Sequence, residues 1–336
     1  MRADRIYAYG ATAGLIGDLL LGDPRRGHPV AAFGRAAAAV EDRLWRDHRG
    51  RGALHTLICA GGAAGSAALA ARALRRHPAA SVALTAAATW SVVGGTSLGR
   101  EARAIGGALA AGDIELARER LPHLCGRDPQ ALDGPGIARA VVESVAENTS
   151  DAVVGALVWG ALAGVPGLVG FRAANTLDAM VGHKSPRHLR YGWASARLDD
   201  LAGWPGARLT ALLAVASGGR PREAVRAWSA DAAKHPSPNA GPVEAAFAGA
   251  LGVRLGGTLA YGGRVEHRPV LNGEAGRAVE TGDIERAVRL SRRVGVLALG
   301  VTVAARLGAA AVARRIAGAG QARRPHGSRT AGRRAI

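Results

Sequence analysis

The sequence predicts an all-α fold, a polytopic transmembrane helical bundle with helical polar segments between the spans. Three observations predict it. Mean hydropathy is slightly positive although 21% of the 336 residues are charged, so apolar and charged residues are segregated into blocks. Aromatic residues make up only 4%, and Ala and Gly dominate the apolar fraction, which lets helix backbones approach closely in lipid. Several apolar runs also come near the about 20 residues that a helix needs to cross the hydrocarbon core.

In chain order the candidate spans are 6–21, 53–71, 79–99, 152–171, 201–219 and 294–313. The second, third and fourth contain no charged residue up to Gly99 and between Asp151 and Arg172, whereas Asp18, Arg208 and Arg306 interrupt the others. An acid inside a span is a functional candidate by default, and Asp18 is one. The fourth run holds Gly155, Gly160, Gly164, Pro166 and Gly167, which can break it into a re-entrant or discontinuous element of the kind tolerated beside a cavity. The polar stretches 100–121 and 274–293 read as helices. Each contains a Gly-Asp start, at Asp113 and Asp283, suited to capping free N–H groups. Residues 1–313 form one expected membrane-embedded catalytic domain, and 314–336 an expected basic, disordered tail.

The formal net charge of +18 invites a nucleic-acid reading, but no reading motif or aromatic platform accompanies the charge, so nucleic acid is not an expected partner. The arginines are spread over most polar segments, and the basic tail suits an anionic lipid surface. Cys59 and Cys125 cannot build a disulfide framework or a zinc site between them. The first apolar run lacks a small-residue cleavage site and is expected to be retained. Residues 23–52 carry seven Arg against two in the N-terminal stub, which favours a cytoplasmic position for that segment in the cell membrane. If every candidate span crosses fully, however, 143–151 and 172–200 fall on opposite faces.

The chemistry-bearing residues concentrate between 141 and 213. Glu143, Glu147 and Asp151 recur every fourth residue on one helical face, and three such acids need a cation such as Mg²⁺ or open solvent. Asn175 and Asp178 share a face and offer oxygens to a hard cation. The expected metal set is therefore Glu143, Glu147, Asp151, Asn175 and Asp178. Lys184 and Arg187 flank Pro186 in a short loop and, with Arg197, form a candidate phosphate cradle. Asp199 and Asp200 adjoin an apolar run, which is costly unless they face water or metal. There is no Walker loop, G-x-S-x-G elbow, HExxH or CxxC, so conventional nucleotide, hydrolase and metalloprotease readings lack support.

Several segments together resemble the adenosylcobinamide-phosphate synthase family of cobalamin biosynthesis (the CbiB/CobD type). They are Gly22-Asp23-Pro24 with His28-Pro29-Val30, and Glu143-Ser-Val-Ala-Glu147-Asn148-Thr149 with Asp151. Asn175-Thr-Leu-Asp178 with Met180-Val-Gly182 follows, then Gly192-Trp-Ala-Ser-Ala-Arg197-Leu-Asp199-Asp200 and Arg208-Leu-Thr. Last come Ser237-Pro-Asn239-Ala-Gly241 and Gly249-Ala-Leu-Gly-Val-Arg254-Leu-Gly-Gly257. Two departures are Pro242-Val243, where the family often has Trp-Pro, and His183, where Tyr is frequent. The resemblance implies a multi-span membrane enzyme that uses ATP to join adenosylcobyric acid to (R)-1-aminopropan-2-yl phosphate or a related amino-alcohol phosphate.

On that expectation Glu147, Asp178, Asp199, Asp200 and Lys184 act in catalysis, with Asp199 or Asp200 as base for the incoming ammonium. Lys184, Arg187, Arg197, Asn148, Ser237, Asn239 and His28 bind substrate or phosphate. ATP and Mg²⁺ are the expected cofactors, the bilayer and other cobalamin-pathway enzymes the expected partners, and the cytoplasm the expected side of the site. The competing classes are a non-catalytic corrinoid-binding or transport protein, and a scaffold for other pathway enzymes.

Overall fold

The computed structural model describes residues 1–23, 27–183, 185–261 and 264–322. The chain opens with α1 (Ala3–Leu21) and α2 (Pro29–Leu44), and α3 (Arg49–Thr56) continues through a π-helical turn into α4 (Gly62–Leu74). Next come α5 (Pro78–Val92), α6 (Gly95–Ala110), α7 (Ile114–Arg120), α8 (Gly134–Thr149), α9 (Gly155–Ala163) and α10 (Val165–Leu177). Then follow α11 (Trp193–Ser217), α12 (Pro221–Asp231) and α13 (Ala240–Leu251). One antiparallel hairpin, β1 (Leu255–Tyr261) with β2 (Arg264–Leu271), departs from the otherwise helical fold before the long α14 (Thr281–Ala322).

Three stretches among the described residues are long and apolar enough to cross a membrane: Arg49–Leu74, Pro78–Ala110 and Thr281–Ala317. Helix α4 buries none of its side chains, and Leu57, Ile58 and Leu69 point outward. Outward apolar surface on this scale suits lipid rather than water. The expected spans 6–21, 152–171 and 201–219 are not among the three. The expected span 79–99 is interrupted, because Val93 is extended and α6 starts afresh at Gly95. The expected tail boundary also moves. Helix α14 runs past Ala313 to Ala322, since this Ala- and Arg-rich stretch has high helix propensity and no proline to stop it. Residues 323–336 lie outside the described part.

Two of the charges that interrupt the apolar runs serve helix ends inside the bundle, where water is scarce and backbone groups need partners. Asp18, almost fully buried, accepts hydrogen bonds at Oδ2 from the Thr96 N–H and the Thr96 hydroxyl, both at 3.1 Å, and so caps the first turn of α6. Arg306 of α14 donates to the carbonyls of Gly160 and Ala161 in the last turn of α9. Tyr7 of α1 reinforces that junction, donating to the Leu157 carbonyl at 2.7 Å while Arg306 sits 5.3 Å over its ring. The Gly-Asp echo has a similar local cause. Asp113 is the N-cap of α7, accepting from Leu116 N at 3.0 Å, whereas Asp283 lies in the first turn of α14 and accepts from Glu280 N at 2.9 Å.

The run 152–171 is not one span but a helical hairpin. At Gly164 φ is +70°, a value that L side chains rarely adopt, and the chain reverses there. A Cβ on Gly155 would strike the Phe171 ring, one on Gly160 would lie 2.8 Å from Leu168, and one on Gly167 would strike the Trp159 carbonyl, a pairing order that makes α9 and α10 antiparallel. Asp151 and Arg172 therefore stand at the same end of the hairpin. This reversal removes the conflict of opposite faces.

Helix α11 seals the hairpin from the other side. A Cβ on Gly206 would lie 2.7 Å from the Gly155 Cα, so two glycines define the closest crossing of α11 with the start of α9. Gly206→Leu should force the two apart and lower stability by about 1–3 kcal/mol. Thermal unfolding in detergent checks this, with Gly107→Ala as control because nothing lies within 4 Å of its Cβ position. A wild-type midpoint for Gly206→Leu would show that the crossing is not tight.

Candidate active site

The acids singled out in the sequence come from separate helices and meet beside the mouth of the α9–α10 hairpin. Glu143 and Glu147 stand on α8, and Asp151 on the π-helical turn Ser150–Val154 that links α8 to α9. Asp178 opens a second π-helical turn, Asp178–Gly182, at the end of α10, and Asp199 and Asp200 lie in the early turns of α11. An inserted residue of this kind rotates the side chains that follow it, and such turns are frequent at functional sites. The second turn is tight: a Cβ on Gly182 would strike the Asp178 carboxylate, so only glycine leaves that side chain its place.

The carboxylates share one electrostatic neighbourhood. Burial pushes Glu147 up, with Arg268 and Arg127 opposing and Glu143 and Asp178 adding to the rise. Asp151 is pushed well above the ordinary carboxylate range by burial and by the charges of Asp199 and Glu147. Burial and the Asp178 charge raise Asp199 to about 7, although the Asn175 amide donates to it at 3.4 Å. Asp178 is itself raised by burial, which His183 opposes. Glu147 is exposed at the rim of the group, and Asp151, Asp178, Asp199 and Asp200 are half-buried, so the group lines a polar recess rather than the packed core.

Glu143 is the exception. Its side chain and that of Arg127 are only 3% and 5% exposed; they form an ion pair, and Glu143 Oε1 also accepts from Gly256 N at 2.6 Å. Both of its oxygens are engaged, which corrects its expected place among the metal ligands. It anchors the β1–β2 hairpin to α8 instead. Among the described residues no group of three or more His, Cys, Asp or Glu gathers closely enough to hold a metal ion, so the expected five-residue set does not form an all-protein cage. Like charges on separate helices cannot close on each other without a cation between them. The recess still fits a Mg²⁺ arriving on phosphates, which takes only one or two carboxylates from a protein.

The expected phosphate cradle is not assembled at the acids. Arg187 pairs with Glu41 at 3.1 Å and stacks 4.6 Å over Trp45, because that carboxylate and ring lie on α2 and at its end, beside the loop. Arg197 is exposed and pairs with Asp200 at 3.4 Å, one helical turn on. Lys184 lies outside the described residues. The cations that act on the acids are instead Arg127, Arg268 and Arg172, the last lowered by its burial and held charged by Asp23 and Asp151.

The remaining candidates hold structure together. His28 caps α2 through Nδ1 at 3.1 Å from Val30 N and stands 3.9 Å from Asp23. Asn148 donates back to the Ser144 carbonyl at 2.9 Å. Ser237 Oγ accepts from Ala240 N at 3.1 Å at the start of α13, and Asn239 ties Arg208 to the Asp200 carbonyl.

Residue-by-residue reading of the sequence missed Arg127 and Arg268, which carry no local signal. It assigned no role to Arg172 or Glu244. A signal existed for both: Arg172 closes an uncharged run, and Glu244 is the lone acid of the apolar 240–252 stretch. Glu244 is buried 3.8 Å from His235, and burial and the charges of Glu143 and Glu147 push it well up.

Comparison with known proteins places the chain in a family. The family described as CobD/Cbib protein matches residues 11–291. A "Cobalamin biosynthesis protein CobD" of Mycobacterium tuberculosis is 55% identical over 293 residues, covering 85% of this chain and 92% of that protein. Proteins of the same description from Chromobacterium violaceum and Sinorhizobium fredii are 44% and 41% identical, each covering 83% of this chain and 90% of the relative. No solved structure matches.

Proposed function

Because the chain belongs to the CobD/CbiB family of cobalamin biosynthesis proteins, we propose that it is an adenosylcobinamide-phosphate synthase. It joins adenosylcobyric acid to (R)-1-aminopropan-2-yl phosphate, or a related amino-alcohol phosphate, at the expense of ATP. The observation that carries this reading is the recess in which Glu147, Asp151, Asp178 and Asp199, from separate helices, raise one another's proton affinity beside Arg172 and Arg268.

The chemistry asks for such a place. A carboxylate does not accept an amine at neutral pH, because the group that must leave is an oxide. Transfer of the terminal phosphoryl group of ATP to the corrinoid carboxylate releases ADP and leaves an acyl phosphate. The amine then attacks the acyl carbon, the C–O bond breaks, phosphate departs, and the ammonium proton must go to a base. Asp199, with a proton affinity near neutrality, is matched to take it. Glu147 and Asp178 would hold the Mg²⁺ that accompanies the nucleotide, and the ion would offset phosphate charge there. Arg172 and Arg268 face the anionic groups of the substrates. The half-buried recess limits the water that would hydrolyse the activated acyl group. The site opens to the cytoplasmic side of the cell membrane, where nucleotide is available.

Purified protein in detergent, supplied with adenosylcobyric acid, amino-alcohol phosphate and Mg-ATP, should form amide and ADP in equal amounts. Corrinoid binding or vesicle flux without ADP release would replace this reading with a non-catalytic binding or transport protein.

A further inference from the structure

A second polar cavity lies away from the acids, where α11, α12, α13 and α14 come together. It encloses about 270 Å³, and its lining includes Arg220, Arg286, Arg289 and Arg293 with Leu251 and Leu290. Four guanidinium groups around one small cavity repel each other unless an anion sits among them. The acids nearby offset only part of this charge. Arg286 is held by Asp283 at 2.6 Å, and Arg289 reaches Glu285 only at 3.9 Å. The side chains of Arg220 and Arg293 make no ion pair or hydrogen bond among the described residues. Arg286 is also fixed by donating to the Leu251 carbonyl at 2.7 Å, so one wall of the cavity is preformed.

The position of the cavity narrows the class of anion. On α14 the run 294–313 follows Arg293 directly and precedes Arg314, and twenty residues of helix span about 30 Å, the thickness of the hydrocarbon layer. Val296, Leu297 and Val301 point outward on the first turns of that run, as Leu212 does near the end of α11. The arginines therefore stand at the level where lipid-facing surface begins. A basic pocket between helices at that level matches a phosphate headgroup whose acyl chains continue along the apolar surface.

We propose that this cavity is a phosphoryl-anion site that holds the headgroup of an anionic phospholipid. The proposal is independent of the ligase reading, since none of these residues belongs to the acid recess. The test is native mass spectrometry of full-length protein extracted from bilayers of phosphatidylglycerol and phosphatidylcholine. The wild type should retain phosphatidylglycerol in preference. The double substitution Arg220→Gln with Arg293→Gln should weaken that retention about thirtyfold, at about fivefold per guanidinium lost. The pair Arg220→Lys with Arg293→Lys should keep most of it, and a circular dichroism spectrum matching wild type separates loss of the site from loss of the fold. Retention of phosphatidylglycerol that is equal in wild type and the Gln pair overturns the proposal. Displacement of the lipid by millimolar pyrophosphate, with stabilisation by pyrophosphate alone, assigns the cavity to a soluble phosphate and overturns the lipid source.

Discussion

Glu147→Ala and Asp178→Ala are each expected to lower amide formation by about 10²–10⁴-fold while the protein still inserts and folds. The two carboxylates start on different helices, yet the Asp178 charge adds to the rise in proton affinity of Glu147. Two acids that repel across a recess contribute nothing to packing. Removing one relieves repulsion, so the folded state should tolerate the change. The measurement is single-turnover amide yield with Mg-ATP, beside thermal unfolding in the same detergent. Glu147→Gln keeps the size and loses the charge, and it should fall with the alanine variant if charge is what matters. Wild-type turnover in both alanine variants would remove the proposed role of this recess.

Arg127→Met is expected to have the largest effect on stability, a loss of about 3–5 kcal/mol. Arg127 and Glu143 are almost wholly shielded from water, and the substitution leaves the Glu143 carboxylate buried with Gly256 N as its remaining hydrogen-bond partner among the described residues. An ion pair in such surroundings adds little over an apolar pair, but losing one partner strands a charge. The companion double variant, Arg127→Met with Glu143→Leu, should therefore recover much of the loss. Thermal unfolding of the three proteins reads this directly. An Arg127→Met midpoint equal to wild type would mean that the pair is solvated and does not anchor the hairpin.

The comparison of sequence with structure turns on what periodicity can carry. Glu143, Glu147 and Asp151 were legible as one helical face because spacing along a helix is a local property. Their proximity to Asp178 and Asp199 was not, since it depends on Gly164, one of several glycines in the run, being the residue that reverses the chain. The cradle of Lys184, Arg187 and Arg197 was drawn from nearness in sequence. Arg187 turned instead to Glu41, far away in the chain, because α2 packs there. Arg268 acts on Glu147 from a β-hairpin strand, and no pattern within the strand announces a partner so distant in sequence.

By itself the sequence determined the membrane-helical class, the family and the acids on which chemistry can rest, because blocks of hydropathy and ordered motifs survive without coordinates. Only the tertiary structure decided which apolar runs continue as long helices and which fold back. It also decided that Asp18 and Arg306 serve broken helix ends and that Glu143 is consumed by Arg127. The physical reason is one of range. A helix face is written within a few residues, whereas the partner of a buried charge is chosen by how helices far apart in the chain come to pack.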